Sequence, residues 1–148
     1  MMIKLFYCCL LAMPLRHLVL TSGYGYRIHP VTGRFSFHSG IDLRARHDTV
    51  FAVMPGRIAF VGYDPVMGVH IRLACGDFSF QYDHLSQVFV LAGDSVNTYA
   101  PLGITGSSGR VTGEHLHFSV SYLRKPVDPL LFLKQVTRYP SDDDTNSR

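Results

Sequence analysis

The chain has 148 residues, of which 47% are apolar, so it can bury one hydrophobic core without disulfide staples but is too short for a second domain. Fourteen basic and eleven acidic residues give a small, dispersed net charge of +3, which argues against a nucleic-acid-binding protein. Three cysteines without a C-x-x-C motif exclude a zinc finger and a disulfide framework, and we expect Cys75 to be a small buried residue.

The amino-terminal residues 1–16 differ in composition from the rest of the chain. A single basic residue, Lys4, precedes nine apolar residues, a pattern that resembles a short secretion signal without a small-x-small cleavage site. An apolar leader strand or a misplaced start codon would give the same pattern, and the run is shorter than the roughly 20 residues of a membrane-spanning helix. We therefore expect a leader at 1–16, one folded domain at 17–136, and a disordered polar tail at 137–148.

The folded part reads as an all-β domain. Glycines and prolines stand singly between short β-branched and aromatic runs, which is typical of many strands joined by turns. The dipeptide Gly76-Asp77 predicts a hairpin turn between two of these runs. One short helix is predicted at 129–136, with Pro129 in its first turn. The predicted strands are about 35–43, 49–53, 57–63, 69–74, 78–84, 101–105 and 115–123.

Two histidine motifs supply the groups for metal chemistry. His38 and Asp42 are four residues apart, and His115 and His117 are two apart. Imidazole and carboxylate both bind zinc, and a catalytic zinc site has three protein ligands and a fourth position for water. Residues two apart in a strand share a face, so both histidines of the second motif should enter one cleft while Leu116 turns to the core. One of them can bind metal while the other handles protons.

The first motif requires a bend in the chain. Four residues of extended strand would separate His38 and Asp42 by about 13 Å, too far for one ion. We expect the bend at Ser39-Gly40, where glycine permits it. His84, at the end of an alternating apolar run, is a weaker candidate for the site because a single imidazole carries little information.

A glycine-rich loop at 106–113 precedes the second motif. It lacks the Gly-Lys-Ser/Thr ending of a P-loop, and we expect it to form a flexible wall of the cleft. The remaining histidines have no such partners in the sequence and are expected to be structural or exposed: His17, His29, His47 and His70.

Four motifs, in this order, resemble those of the lysostaphin-type (LytM-like) zinc endopeptidases and span roughly residues 17–131: 21–30, 38–42, 82–86 and 112–118. The resemblance implies a compact antiparallel β domain of the duplicated hybrid motif type, with the metal in a groove. It further implies that one zinc ion is bound by His38, Asp42 and His117, and that His84 and His115 assist catalysis. Departures at His47-Asp48, Tyr99-Ala100 and Ser119 remove none of these groups but alter the expected groove and its substrate preference.

The function implied by this resemblance is zinc-dependent hydrolysis of peptide bonds in bacterial peptidoglycan, in cross-links or stem peptides. We expect a monomer in the periplasm or elsewhere in the cell envelope, without nucleic acid or a stable membrane span, and with a second protein that tethers or regulates it.

Two alternatives remain open. The first is a catalytically silent wall-binding or amidase-activating module, although such relatives lack one or more of the residues present here. The second is a zinc carboxypeptidase that releases terminal D-alanine, although its first His and its Asp are usually seven residues apart.

Overall fold

Antiparallel strand pairing organises residues 11–137, the part of the chain that the computed structural model describes. Ten strands form one sheet: β1 (Leu20–Ser22), β4 (Ile41–Arg44), β5 (Thr49–Phe51), β6 (Gly56–Asp64), β7 (Gly68–Cys75), β8 (Phe78–Val88), β9 (Ser95–Val96), β10 (Pro101–Thr105), β11 (His115–Tyr122) and β12 (Lys125–Val127). A separate two-stranded sheet contains β2 (Gly25–Ile28) and β3 (Phe35–His38), and helix α1 (Pro129–Thr137) follows β12. The all-β fold class is confirmed.

The core lies against one face of β4, β11 and β8. Along β11 the side chains alternate, so Leu116, Phe118 and Val120 are completely buried while His115 and His117 lie on the opposite face. Full burial of one such apolar side chain contributes about 1.5–3 kcal/mol. The inward orientation predicted for Leu116 is confirmed, and the same alternation directs both histidines away from the core.

The hairpin predicted at Gly76-Asp77 is confirmed, since β7 and β8 pair antiparallel up to Cys75 and Phe78. Gly76 has φ 56°, a conformation that glycine adopts without a steric cost. Cys75 is only partly buried, so the prediction of a buried thiol was wrong.

The single strand predicted at 35–43 is also wrong, because the chain breaks at Ser39-Gly40 into β3 and β4, which belong to different sheets. The sequence patterns did not predict four short strands, β1, β2, β9 and β12.

The two-stranded sheet has two different faces. Directly opposed residues share a face, and the face with the pairs Gly25–His38 and Arg27–Ser36 is turned toward the large sheet, where His38 and Arg27 approach Asp42. The pairs Tyr26–Phe37 and Ile28–Phe35 lie on the other face, where the Tyr26 and Phe35 rings stack at 5.4 Å. All four of these apolar side chains are exposed, Tyr26 by 72% and Phe35 by 71%. We refer to Tyr26, Ile28, Phe35 and Phe37 as the aromatic face.

Helix α1 closes the described part of the chain. The Asp128 carboxylate accepts a hydrogen bond from the Leu130 amide at 2.9 Å, which caps the first turn, and Leu133 inserts into the core. The helix predicted at 129–136 is confirmed within one residue. Among the described residues, no helix is both long and apolar enough to span a bilayer.

Most of the predicted leader and tail, residues 1–10 and 138–148, lie outside the described residues. In the described remainder of the leader, Ala12 and Leu15 are buried, and the Ala12 amide donates to the Val53 carbonyl at 3.0 Å. Residues 11–16 thus pack against the strands, while the boundary between leader and domain stays a prediction.

Candidate metal site and active-site cleft

Three side chains meet at the junction of the two sheets. His38 ends β3, Asp42 lies in β4, and His117 lies directly opposite Asp42 in β11. Each offers one ligand atom, and these three atoms all lie within 4.8 Å of one another. His38 Nε2 is 3.4 Å from Asp42 Oδ1. The structure therefore brings together the three residues that the family resemblance implies as metal ligands.

The bend between His38 and Asp42 occurs where it was expected, at Ser39-Gly40. A Cβ atom on Gly40 would lie 2.6 Å from His117 Nε2 and 2.7 Å from the Phe118 carbonyl oxygen. Glycine at this position therefore permits the bend and also leaves space for the His117 ring.

Hydrogen bonds fix the orientation of the two imidazole ligands. His38 Nδ1 lies 2.8 Å from the Gly23 carbonyl oxygen, and His117 Nδ1 lies 2.8 Å from Asp83 Oδ2. Since both partners are acceptors, each Nδ1 carries the proton and donates, which leaves the lone pair of Nε2 available to a metal. The donor set is two imidazole nitrogens and one carboxylate oxygen, a combination typical of zinc sites with an open position.

Two more imidazoles border this group. His115 Nε2 is 3.5 Å from Asp42 Oδ1, and the His84 and His115 rings are 4.8 Å apart. His115 Nδ1 is 2.8 Å from the Gly113 carbonyl oxygen, and His84 Nδ1 is 2.8 Å from that of Ser108. Both residues therefore have the same tautomer as the candidate ligands, with Nε2 unprotonated when the ring is neutral.

A β-bulge brings His84 to the cleft. Between Tyr82 and Leu85, strand β8 has one residue more than its partner β7, and His84 has φ 65°. Regular alternation would point Asp83 and His84 to opposite faces, but the bulge lets both line the cleft. The sequence motif identified His84 as a candidate. It did not predict the bulge that brings His84 into the cleft.

Asp83 is a site residue that the sequence analysis missed. Its carboxylate is 1% exposed, pairs with His117, and accepts a hydrogen bond from Gln81 Nε2 at 3.0 Å. An acidic residue within the buried strand β8, next to a candidate histidine, was the available indication. A carboxylate behind a metal-binding imidazole orients the ring and raises its basicity.

The local environment sets the charges of Asp42 and His84. Burial alone would raise the pKa of Asp42, but the hydrogen bond and charge of His38, with His117 and His115, outweigh it and hold the pKa below its ordinary value. Burial lowers the pKa of His84, although its hydrogen bond to Ser108 opposes the shift. At neutral pH the cleft thus contains an ionised Asp42 and a neutral His84, the forms suited to metal binding and proton acceptance.

The walls of the cleft come from the two-stranded sheet of β2 and β3 and from the glycine-rich loop. Residues 110–113 line it, so the loop forms a wall as predicted. The first part of the loop is anchored, because Ser108 Oγ donates to the Leu85 carbonyl at 2.6 Å and accepts from the Val69 amide at 3.0 Å. On the other side, Arg27 Nη2 lies 3.9 Å from Asp42 Oδ2. The flexibility expected of this loop stays a prediction.

The other four histidines lie outside the metal-ligand group, as expected. His70 is buried against Phe60, and His17 is exposed. His29 Nδ1 accepts hydrogen bonds from two amides of its own turn. His47 is exposed and pairs with Glu114.

Comparisons with known proteins agree with this geometry. Residues 36–129 match peptidase family M23, and the chain belongs to this family. The DD-carboxypeptidase/endopeptidase Mpg of Neisseria meningitidis is 38% identical over 120 residues, which are 79% of this chain and 27% of Mpg. The chain likewise spans 27% of a second curated relative, the peptidoglycan DD-endopeptidase ShyB of Vibrio cholerae, at 32% identity over 75% of this chain.

Solved structures show the same fold. The catalytic domain of the antimicrobial peptidase lysostaphin from Staphylococcus simulans superposes with a TM-score of 0.72 and 30% identity, over 79% of this chain and 92% of that one. The lysostaphin-like fold and the family resemblance are therefore confirmed.

Proposed function

We propose that this chain is a zinc-dependent endopeptidase that hydrolyses peptide bonds in bacterial peptidoglycan. In this proposal His38, Asp42 and His117 bind one zinc ion, and His84 and His115 are the catalytic residues. The observation that carries it is the group of three ligand atoms within 4.8 Å of one another, bordered by the two additional imidazoles. The name of ShyB, which is a longer protein, supports peptidoglycan as the substrate, and the name of Mpg supports endopeptidase activity.

The residues present fit a zinc ion. Nε2 of His38 and of His117 faces the group because each Nδ1 is held by an acceptor, and Asp42 supplies the anionic oxygen. A zinc ion bound there would polarise the scissile carbonyl and lower the pKa of a water ligand from about 15.7 toward 7. Asp83, behind His117, would orient that ring and increase its donor strength.

His84 and His115 would move protons. The neutral form of either imidazole can accept the proton of the attacking water at Nε2. Once protonated, an imidazole can donate to the leaving amine or stabilise the developing oxyanion. General acid and base catalysis of this kind contributes typically about 10²- to 10⁴-fold. The two residues share these roles, with their rings 4.8 Å apart.

The proposed substrate places the protein in the cell envelope, in the periplasm or outside the cell, where peptidoglycan lies. Peptidoglycan is then the main partner, and the proposed form is a monomer with a tethering or regulatory protein.

The experiment combines zinc analysis with digestion of purified peptidoglycan by wild type, His117→Ala and His115→Ala. We expect wild type to contain one zinc ion and to release fragments that mass spectrometry identifies as cut cross-links or stem peptides. His117→Ala should lose zinc, whereas His115→Ala should keep zinc and lose hydrolysis, so the two variants serve as controls for each other.

Other outcomes would favour the alternatives. A wild-type protein that binds zinc but releases nothing would indicate a silent wall-binding or amidase-activating module. Release of free alanine alone would indicate a carboxypeptidase, an activity that the name of Mpg also includes.

A further inference from the structure

A second cavity adjoins the candidate catalytic cleft and is rich in basic side chains. We call it the arginine cavity, after Arg16, Arg44 and Arg46 in its lining. Arg44 and Glu114 line both this cavity and the cleft, so the two are adjacent at this point.

The carboxylates of the arginine cavity already have partners. Asp48 Oδ2 accepts a hydrogen bond from the Arg46 amide at 2.9 Å. Glu114 Oε1 lies 3.0 Å from both the backbone nitrogen and Nδ1 of His47. Across residues 11–137, no carboxylate forms an ion pair with any of the three arginine side chains, and all three arginines are exposed. The cavity therefore offers guanidinium groups to an external anion.

The strand register places Arg44 on the face of the large sheet that carries His115 and His117. His117 pairs with Asp42 and His115 pairs with Arg44, and directly opposed residues of antiparallel strands point to the same side. Leu43, between them in the sequence, is buried in the core. Arg44 thus emerges beside His115, about 7 Å along the strand from Asp42.

We propose that Arg44 is a specificity-determining residue that binds a free carboxylate of the substrate peptide, and that the arginine cavity receives this anionic part. The inference rests on the proposed function and names its substrate class: peptides with a carboxylate within about two residues of the cleaved bond, given 3.3–3.4 Å per extended residue. Arginine suits this role because its planar group binds a carboxylate through two parallel hydrogen bonds.

The test uses two synthetic cross-linked peptides that differ only in one group, a free carboxylate or a carboxamide at the residue next to the cleaved bond. The KM and kcat of wild type, Arg44→Gln and Arg57→Gln are measured on both. Arg57 is a matched control because it is an exposed arginine on β6 that lines neither cavity.

We expect wild type to have a KM about tenfold lower for the carboxylate peptide than for the carboxamide peptide. This is the change in affinity that one hydrogen-bonded pair with a charged group typically produces. Arg44→Gln should lose this preference, so that its KM is nearly the same for the two peptides, and Arg57→Gln should retain the wild-type preference. Arg44→Glu should prefer the carboxamide. An Arg44→Gln protein that retains the preference, or a wild type without one, would overturn the proposal.

Calorimetry separates this proposal from the hydrolysis itself. Both peptides are titrated into His115→Ala and into His115→Ala/Arg44→Gln, and binding is read without turnover. Tighter binding of the carboxylate peptide that disappears with Arg44→Gln supports the inference even if wild type cuts neither peptide. Equal binding of the two peptides by His115→Ala contradicts it even if wild type cuts both.

Discussion

Four histidines around the candidate site are held by the same kind of hydrogen bond, in which Nδ1 lies 2.8 Å from an oxygen acceptor. Three of the acceptors are backbone carbonyls, and the fourth is the buried carboxylate of Asp83. Fixing Nδ1 restricts ring rotation and selects the tautomer, so each imidazole is oriented before any ligand arrives. His117 differs from the others because its acceptor is an ionisable side chain.

Removal of that carboxylate tests its contribution. In Asp83→Ala, His117 Nδ1 and Gln81 Nε2 both lose an acceptor, and we expect zinc affinity to fall by about 10- to 100-fold. Competition with a chromogenic chelator measures this affinity. Asp77→Ala, at an exposed turn aspartate, is the control and should bind zinc like wild type. Equal affinity in Asp83→Ala would show that the carboxylate does not support the metal site.

The pH dependence follows from two shifted groups. Burial lowers the pKa of His84 below its ordinary value of 6.5, so the neutral form, which accepts protons, persists at and above that pH. Asp42, with a lowered pKa, remains ionised throughout this range. Protonation of His84 at lower pH would remove the proposed base, so we expect kcat/KM to fall below about pH 6. Zinc content is measured in the same samples, and full activity at pH 4.5 would contradict this mechanism.

At the scale of secondary structure, the important element is the break between β3 and β4. It moves the chain from the small sheet to the large one within Ser39-Gly40, so that His38 and Asp42 approach one site from different sheets. The lack of a side chain at Gly40 is what leaves space for His117.

Gly40→Ala should disturb both stability and metal binding. Its methyl group would contact His117 Nε2 and the Phe118 carbonyl oxygen, and such overpacking costs typically about 1–3 kcal/mol. We expect a lower free energy of unfolding in urea and weaker zinc binding. Gly23→Ala is the matched control, since a Cβ there has no heavy atom within 4 Å. The expectation fails if both variants bind zinc equally well.

The sequence predicted those elements whose pattern is local. Alternation located β11 and the β7–β8 hairpin, and the spacing of the two histidine motifs located four candidate residues. His84 was a weaker candidate from its position at a strand end, and the family resemblance strengthened it. Strands of two or three residues, such as β1 and β9, are too short for a periodic pattern. The break after His38 was expected as a bend, but the change of sheet depends on distant strands. The role of Asp83 depends on the pairing of β8 with β11, and the position of His84 depends on the bulge in β8; no local spacing encodes either.

At the scale of the molecule, the candidate site joins parts of the chain that are far apart in sequence. Strand β11 lies between β4 and β8, so Asp42, His117 and Asp83 form one row across the large sheet. His38 approaches this row from the small sheet. A metal ion bound to all three ligands would therefore hold the two sheets together and favour the folded state.

Zinc should accordingly raise the stability of the whole domain. A ligand that binds only the folded state at 100 times its Kd adds about 2.7 kcal/mol to the free energy of unfolding. We expect thermal unfolding at a higher temperature with zinc than with a chelator, and no difference in His117→Ala. An equal shift in that variant would place the stabilising ion elsewhere.

The two different faces of the β2–β3 sheet can couple metal binding to binding on the outside of that sheet. His38 lies on one face, and the exposed aromatic face, which includes Phe35 and Phe37, lies on the other, so both belong to the same two-stranded sheet. If a molecule that covers the aromatic face favours the hairpin geometry in which His38 reaches Asp42, it must raise zinc affinity by the same factor by which zinc raises its own affinity. Occupancy of the aromatic face and occupancy of the metal site would then be coupled through a single layer of strands.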